Sequence, residues 1–216
     1  MISDSTAIIL AGGNSQRMGR DKASVLLGEH TLLQHVISTL RPLFPTLLVS
    51  VRQLRPEIDL PQVCDEQSGA GMRPGGGPKL GGGPLAGLSA SLSQVTTPWA
   101  FVVACDMPFV EVALVELLAT YRAQYQAVVP VVRGHPQPLA AFYARSCLDT
   151  IRTTLASGEN SSLRAILERL QVRYVDETEL LQADPALHSF FDLDTPQDVA
   201  KAMKLVPMKL DSLKSG

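Results

Sequence analysis

The sequence predicts an α/β fold, a three-layer sandwich in which helices cover both faces of a mostly parallel sheet. Short apolar runs typical of buried strands alternate with segments in which apolar residues recur at helical spacing. Alternation of this kind implies a mostly parallel sheet. With 216 residues, 45% of them hydrophobic, the chain can bury about two thirds of its unfolded surface. We therefore expect one domain over residues 1–205.

The apolar runs and the helical periods follow one another along the chain. Strands are predicted at 7–10, 47–51, 100–104, 127–132 and 139–143, and helices at 31–40, 112–121, 146–155 and 162–170. A closing helix is indicated by Thr195 as its cap, Pro196 in its first turn and Asp198 reaching back to the cap. The segment 206–216 is expected to be a disordered tail.

Charge and hydropathy argue against several classes of protein. The net charge is only -2, and the Lys and Arg residues are scattered, which disfavours a nucleic-acid or membrane surface. No apolar run approaches the roughly 18 residues that span a bilayer, and Ser3, Asp4 and Ser5 stand where a signal peptide would be basic. A cytoplasmic location is the resulting expectation. The three cysteines are interpreted as small buried apolar side chains.

One segment departs from the rest in composition. Residues 69–83 contain eight glycines, Pro74 and Pro78, without any apolar period. Such a stretch cannot bury enough surface to order itself, so we predict a flexible glycine-rich loop within the domain. The alternative is a linker between two domains, but the material before Gly69 is short for a domain.

The first candidate for chemistry runs from Leu10 to Lys22. Gly12 and Gly13 follow a predicted strand and would let backbone N–H groups approach a phosphate, while Arg17 and Lys22 supply positive charge. The spacings of the dinucleotide fingerprint and of the Walker loop are both absent. Two adjacent glycines also suit a tight turn without any ligand, so these generic features leave both interpretations open.

The second candidate is Asp106, directly after the strand at 100–104. Ligands of such sheets bind beyond the carboxyl ends of the strands, and a lone buried carboxylate there is costly without a cation. Magnesium prefers oxygen ligands and commonly uses one or two carboxylates together with substrate phosphates. Asp65 is a second carboxylate near the same edge. The alternative is that Asp106 only caps the helix beginning near Glu111.

The third candidate is His135, which lies between Gly134 and Pro136. A histidine in a rigid turn is more often a structural hydrogen-bonding residue than a catalyst. The remaining histidines form no pattern with it, so the sequence does not predict a zinc site. They are His30, His35 and His188.

Taken in order, these motifs resemble those of the molybdenum cofactor guanylyltransferases, the MobA family. The matching letters are L-A-G-G-x-S-x-R-M-G-x-D-K from Leu10, G-P-L-A-G-L from Gly83, C-D-M-P from Cys105, H-P from His135 and D-T-P-x-D from Asp194. The resemblance implies a Rossmann-like fold of the nucleotide-diphospho-sugar-transferase type. Some members have N-x-N-T-P where this chain has carboxylates at 192 and 194, and the glycine-rich loop is longer than is usual in the family.

The resemblance also implies roles for individual residues. It assigns nucleotide binding to Leu10, Ala11, Gly12, Lys22, Ser50, Asp65 and Asp106. It assigns the pterin substrate to Gly83, Pro84, His135, Asp192 and Asp194. The residues implied in catalysis are Arg17, Lys22 and Asp106, of which Asp106 would hold Mg²⁺.

The implied reaction joins GMP from GTP to the terminal phosphate of molybdenum-molybdopterin, with release of pyrophosphate. Transient contacts with proteins that supply or receive the cofactor would accompany it. Three alternatives remain open: a cytidylyltransferase acting on the same cofactor, a sugar-nucleotide pyrophosphorylase, and a nucleotide-binding module without catalysis. Keeping both Lys22 and Asp106 argues against the last, because a binding module needs no catalytic metal.

Overall fold

The structure is a computed structural model that describes residues 1–12, 22–64, 83–157 and 162–205. Three parts of the sequence-based interpretation lie outside these residues. They are the roles of Arg17 and Asp65, most of the glycine-rich loop, and the tail at 206–216.

The centre of the fold is an eight-stranded sheet that is parallel except at two strands. Seven strands form a path in the order β10-β7-β9-β6-β1-β4-β5, and β8 pairs with β7 alone. The antiparallel strands are β9, between β7 and β6, and β8. The strands are β1 (Ser5–Leu10), β4 (Thr46–Val51), β5 (Gln62–Cys64), β6 (Trp99–Ala104), β7 (Ala127–Val132), β8 (His135–Pro136), β9 (Ala140–Ala144) and β10 (Val172–Val175), and a separate small hairpin pairs β2 (Leu26–Leu27) with β3 (His30–Thr31).

Two hydrophobic clusters lie on opposite faces of this sheet. The helices are α1 (Leu32–Leu40), α2 (Pro84–Gln94), α3 (Val112–Thr120), α4 (Cys147–Ser157), α5 (Leu163–Leu167), α6 (Glu177–Leu180) and α7 (Pro196–Ala202). One cluster joins Ile9 and Val103 of the sheet to side chains of α1, α3 and α6. The other joins Ile8 and Val102 to side chains of α2, α4 and α5. Because successive strand residues face opposite sides, one set of strands supports both helical layers.

A third, smaller cluster holds α7 against the rest of the domain. It contains Leu27, Leu32, Phe109, Leu193 and Ala202, and each is at least 97% buried. The start of α7 is capped as the sequence predicts, since Thr195 and Asp198 form a reciprocal capping box. The burial of Leu193 and the cap at Thr195 therefore fix the two ends of the short segment that precedes α7.

The predicted fold class is confirmed, with some elements corrected. All five predicted strands are present, and the helix predicted at 162–170 is shorter, at Leu163–Leu167. The sequence interpretation missed α2, α6, β5, β10 and the short strands of the hairpins. Among the described residues, no helix is long and apolar enough to cross a membrane.

Two interpretations at the level of residues need correction. Cys105 and Cys147 are buried as expected, but Cys64 is only half-buried, because it lies on the edge strand β5. The alternative in which Asp106 only caps α3 is wrong, because the backbone N–H of the N-cap residue Glu111 donates to Ser189 Oγ at 3.0 Å.

Candidate active site

Most of the candidate residues within the described part of the chain lie along one edge of the sheet. The carboxyl ends of β5, β4, β1, β6 and β7 all meet this edge, because these five strands run parallel. Leu10 ends β1 and pairs in register with Ser50 of β4 on one side and with Ala104 of β6 on the other. Asp106 follows β6, and His135 pairs with Val132 at the end of β7. The edge is therefore a single row with Asp106 between the β1–β4 side and the β7 side.

The backbone around Asp106 is held firmly by its neighbours. The N–H of Cys105 donates to the carbonyl of Leu10 at 3.1 Å, which extends the pairing of β6 with β1 beyond the strand. The N–H of Ala104 donates to the carbonyl of Leu139 at 3.0 Å, and Met107 donates back to Ala104 at 3.2 Å in a tight turn. The Asp106 side chain emerges from this fixed point with 18% of its surface exposed.

Lys22 lies between two carboxylates at this edge. Its Nζ donates to Asp106 Oδ2 at 2.6 Å and also contacts Asp194 Oδ1. Lys22 and Asp106 are mostly buried, with 16% and 18% of their side chains exposed, whereas Asp194 is more open at 43%. One ammonium group thus joins three segments that are far apart in the chain.

Asp194 reaches this position because Leu193 is anchored. The Leu193 side chain is fully buried in the third cluster, and its N–H donates to the carbonyl of Asp106 at 3.0 Å. The two flanking carboxylates, Asp192 and Asp194, are consequently held beside Asp106. On the C-terminal side the capping box of Thr195 fixes where α7 begins.

The charges in this neighbourhood shift the pKa values of three groups. Burial alone would lower the pKa of Lys22, but its hydrogen bonds to Asp106 and Asp194 outweigh burial and raise that pKa. Burial raises the pKa of Asp192, and the charges of Asp194 and Asp106 raise it further. Burial, with the charge of Asp106, raises the pKa of the Cys105 thiol to about 12. Lys22 therefore stays an ammonium, and Cys105 stays a thiol without nucleophilic character.

The residues assigned to the nucleotide lie beside Asp106 on the β1–β4 side. Leu10 and Gly12 are partly exposed, and the N–H of Ala11 is already bound to the carbonyl of Ser50 at 2.8 Å. Ser50 itself is buried, with 1% of its surface exposed. In this structure Ser50 therefore holds Ala11 in place through its backbone carbonyl, while its own side chain is buried.

The residues assigned to the pterin fall into three separate places. Gly83 is the N-cap of α2, whose first residue is Pro84. His135 is exposed and follows the two-residue turn of Arg133 and Gly134, both with positive φ, that joins β7 to β8. Of this set, Asp194 is the member that contacts Lys22 directly.

Arg55 is a basic residue of this region that the sequence interpretation missed. Its guanidinium donates to Ser24 Oγ at 3.1 Å, two residues from Lys22, and its positive charge acts on the Cys105 thiol. Gln62 of β5 holds the Arg55 backbone through two hydrogen bonds of 2.8 Å. The available signal was its location, a few residues beyond the carboxyl end of a predicted parallel strand.

The described residues suit a cation that takes part of its coordination from a substrate. No group of three or more His, Cys, Asp or Glu side chains suited to holding a metal occurs within the described ranges. The pair of carboxylates on one ammonium matches the needs of Mg²⁺, which is commonly held by one or two carboxylates with substrate phosphates and waters. The donor set of the described residues therefore fits magnesium.

A family model for the MobA-like NTP transferase domain matches residues 7–175 of the sequence. The chain belongs to this family. A probable molybdenum cofactor guanylyltransferase of Chloroflexus aggregans is 36% identical over 90% of this chain and 91% of its own length. The molybdenum cofactor guanylyltransferase of Vibrio cholerae is 30% identical over 95% of this chain and 94% of its own.

Solved structures of related proteins agree with the family. The molybdopterin-guanine dinucleotide biosynthesis protein A of Archaeoglobus fulgidus superposes with a TM-score of 0.79 at 27% identity, covering 94% of this chain and 99% of that one. The 2-C-methyl-D-erythritol 4-phosphate cytidylyltransferase of Thermus thermophilus superposes at 0.65 with 16% identity, over 93% and 98% of the two chains. The second likeness concerns the fold alone, and the chain is a nucleotidyltransferase of the nucleotide-diphospho-sugar-transferase fold.

Proposed function

We propose that this MobA-family chain is a molybdenum cofactor guanylyltransferase. It would transfer GMP from GTP to the terminal phosphate of molybdenum-molybdopterin, forming molybdopterin guanine dinucleotide and pyrophosphate. The observation that carries the proposal is the convergence of Lys22, Asp106 and Asp194 at the carboxyl edge of the sheet. Relatives of nearly the same length carry this activity in their names.

The row of residues along the edge suits a reaction between two phosphate-bearing substrates. The nucleotide would lie over the β1–β4 side against Leu10, Ala11 and Gly12, and the pterin would lie toward His135 and Asp192. Asp106 is between the two sides, where the attacking phosphate and the α-phosphorus of GTP must meet. The chain's main task is then to align two anions in line with the leaving group.

The basic groups of the edge would bind the triphosphate. Lys22 keeps its proton because its pKa is raised, so its charge is available to the departing pyrophosphate. Arg17 would add a second charge from the loop after β1, and Asp65 would contact the nucleotide after β5. Cys105 remains a buried thiol with a pKa of about 12, which supports direct transfer without a covalent enzyme intermediate.

We propose that the enzyme depends on Mg²⁺ and that Asp106 is its principal protein ligand. Magnesium bound there would screen the charge between the two phosphates and favour in-line displacement. The contribution of the chain is to hold the Asp106 carboxylate at a fixed point of the sheet edge, through the hydrogen bonds on either side of it.

The acceptor side has more negative charge than an anionic pterin phosphate would favour. Burial, with the charges of Asp194 and Asp106, raises the pKa of Asp192. Hydrogen bonds or bound cations would have to offset the repulsion between these carboxylates and the pterin phosphate. Gly83 and Pro84 at the start of α2 and the exposed ring of His135 complete the proposed acceptor side.

The proposal is tested by supplying purified protein with Mg²⁺, molybdenum-loaded pterin cofactor and either GTP or CTP. We expect a guanine dinucleotide from GTP and at most a trace of product from CTP. A cytosine dinucleotide would keep the chemistry but overturn the choice of base. If neither product forms while a control enzyme accepts the same cofactor, the acceptor is wrong, and sugar phosphates are the next substrates to test.

A further inference from the structure

The turn between β7 and β8 carries an arginine in a backbone conformation that arginine rarely adopts. Arg133 and Gly134 form this two-residue turn, and both have positive φ, 51° for Arg133 and 75° for Gly134. Hairpin turns with positive φ at both positions favour Asn-Gly or Asp-Gly, because most other side chains are crowded in this conformation. An arginine thus occupies a position where an asparagine would suit the backbone better.

A carboxylate from a neighbouring element holds this turn. The backbone N–H of Arg133 donates to Glu177 Oε2 at 2.8 Å, and Glu177 is the first residue of α6, whose start is fixed by a capping box between Asp176 and Glu179. The Arg133 side chain is exposed, and its guanidinium forms no hydrogen bond or ion pair with residues in the described part of the chain. The backbone of the turn is therefore fixed, while the charged end of its arginine is open to a ligand.

The turn lies level with Asp106 along the sheet. Val128 of β7 and Phe101 of β6 pair with the same residue of the strand between them, Phe142. Arg133 follows Val128 by five positions, and Asp106 follows Phe101 by five. Because β6 and β7 run in the same direction, Arg133 and Asp106 lie at the same edge, two strand spacings or about 10 Å apart. Arg133 is therefore beside the part of the edge that is assigned to the acceptor.

We propose that Arg133 binds the phosphate of the acceptor and so contributes to the choice of a phosphate-bearing acceptor. This inference rests on the proposed function for the identity of that acceptor, molybdenum-molybdopterin. It gives a role to a residue that the sequence interpretation did not single out.

The acceptor side requires positive charge. Its substrate carries a phosphate, and the segment held beside Asp106 contributes the carboxylates of Asp192 and Asp194, which repel an anion. A guanidinium is suited to offset this repulsion, because it is always charged and can donate two parallel hydrogen bonds to one phosphate. A lysine at the same position would act only as a point charge.

The strained backbone gives this role a signature that a structural role would lack. Asparagine adopts positive φ more readily than arginine, so Arg133→Asn should raise the unfolding temperature, by about 1–2 °C. The same substitution should weaken the binding of the acceptor. A gain of stability with a loss of affinity is expected where a residue serves function at the expense of the fold. Loss of binding together with a fall in the unfolding temperature would instead indicate a structural role and contradict the inference.

The inference is tested by equilibrium dialysis of molybdenum-molybdopterin against the purified protein, with molybdenum measured on both sides of the membrane by mass spectrometry. We expect Arg133→Asn to raise the Kd of the cofactor about tenfold at low salt. This difference should shrink as the salt concentration rises, because salt screens the attraction between guanidinium and phosphate. Arg133→Lys keeps the charge and should raise the Kd only about two- to threefold.

The matched control is Arg145→Asn. Arg145 is also exposed, but it follows the antiparallel strand β9, and its N–H donates to the carbonyl of Pro98 just before β6, so it lies at the opposite edge of the sheet. Its removal changes the net charge by the same amount and should leave the Kd of the cofactor unchanged. Circular dichroism establishes that each variant is folded.

Three results of the dialysis would overturn the inference. They are a Kd that Arg133→Asn leaves unchanged, an equal rise in Arg145→Asn, and no binding of the cofactor by the unaltered protein. Formation of the guanine dinucleotide is measured separately. Intact product formation with a Kd that does not depend on Arg133 would contradict this inference and leave the proposed function standing. Binding that depends on Arg133, without any product from the unaltered protein, would support this inference and contradict the proposed function.

Discussion

Asp106 combines a fixed backbone with a partly open carboxylate. Its neighbours bond to Leu10 and Leu139 on the adjoining strands, while its side chain contacts Lys22 at 2.6 Å with 18% of its surface exposed. Lys22 also contacts Asp194, so removing the charge of Asp106 would not leave the ammonium without a carboxylate partner. We therefore interpret this geometry as serving chemistry more than stability.

Replacing Asp106 should separate catalysis from folding. We expect Asp106→Asn to lower kcat by about 100-fold or more. The amide would hold less firmly the Mg²⁺ that is proposed to screen charge in the transition state. The free energy of unfolding should change by no more than about 1 kcal/mol, because Lys22 keeps Asp194 as a partner. Steady-state kinetics and urea unfolding measure the two effects, with Asp59→Asn on the exposed surface as the control. Near-normal turnover would contradict the role of Asp106.

Asp192 should destabilise the folded protein at neutral pH. Its pKa is raised in the folded state, first by burial and then by Asp194 and Asp106, so the folded protein holds this proton more tightly than the unfolded chain. The resulting stability is fully present below the unfolded pKa near 3.8 and is lost as the pH rises through the folded value.

Asp192→Asn should consequently raise the unfolding temperature at pH 7 and raise it less at pH 4. The gain should stay below about 1 kcal/mol, since the group is partly exposed to solvent. Calorimetry at the two pH values measures it. An unfolding temperature that falls at pH 7 would show that the carboxylate is instead stabilised by its surroundings.

Some residues of the site could be predicted from sequence and others could not. Asp106 and Lys22 were identifiable because each lies at or near the end of a strand segment in a motif of recognisable spacing. The contact between Lys22 and Asp194 spans 172 positions and depends on the burial of Leu193. Local patterns hold no information on such a contact, and the same holds for Arg55 beside Ser24.

The stability of α7 bears on the geometry of the candidate site, because the segment before this helix carries Asp194. Thr195 and Asp198 begin the helix with a capping box, and Asp194 immediately precedes this cap. If the first turn of α7 frays, Asp194 loses its fixed position beside Lys22. Local helix stability and the geometry of the site are therefore coupled at this point.

Thr195→Ala should destabilise the protein by about 1 kcal/mol through the loss of the N-cap, a fall of roughly 2–4 °C in the unfolding temperature. It should also reduce kcat/KM, because Asp194 becomes less well positioned. Thr195→Ser keeps the hydroxyl and is the matched control, with little expected change in either quantity. Loss of stability without any loss of kcat/KM would indicate that Asp194 does not depend on the cap.

Leu193→Ala tests the anchor of the same segment. Removing a fully buried leucine from a packed cluster typically costs about 2–5 kcal/mol. We expect a loss in this range by urea unfolding, with a decrease in activity at temperatures where the variant remains folded. An effect below about 1 kcal/mol would mean that the third cluster does not fix the 192–194 segment.

The elements themselves were predictable to different degrees. Strands such as β7 and β6 are recognisable in the sequence as continuous apolar runs, because helices cover both of their faces. In contrast, α2 has a glycine as its N-cap and a proline as its first residue, and it is rich in small residues, so its apolar period is weak. The edge strand β10 alternates little and is half exposed, and only its pairing with β7 defines it.

At the scale of the whole molecule, the sheet order separates the two proposed substrates. The strands on one side of Asp106 are β1, β4 and β5, and those on the other are β9, β7 and β10. The mostly parallel sheet and its two helical layers could be predicted from the sequence, because apolar runs typical of strands alternate with segments of helical spacing. The sequence did not predict the insertion of antiparallel β9 between β6 and β7, which depends on long-range pairing.

Removing divalent metal should affect function without affecting the fold. With Lys22 between Asp106 and Asp194, a chelator should shift the unfolding temperature of the nucleotide-free protein by less than about 1 °C. A GTP analogue with a non-hydrolysable α,β-bond, at about 100 times its Kd, should raise it by about 5–10 °C when Mg²⁺ is present. A similar rise in the presence of chelator would contradict the need for metal in nucleotide binding.

The proposed reaction moves the GMP portion of GTP onto the pterin phosphate. It is tested most directly by following radioactive phosphate from GTP labelled at the α or the γ position, with Mg²⁺ and molybdenum-loaded pterin. We expect the α-label in the pterin dinucleotide and the γ-label in pyrophosphate, in equal amounts. Release of γ-label as inorganic phosphate, with no α-label joined to the pterin, would contradict it.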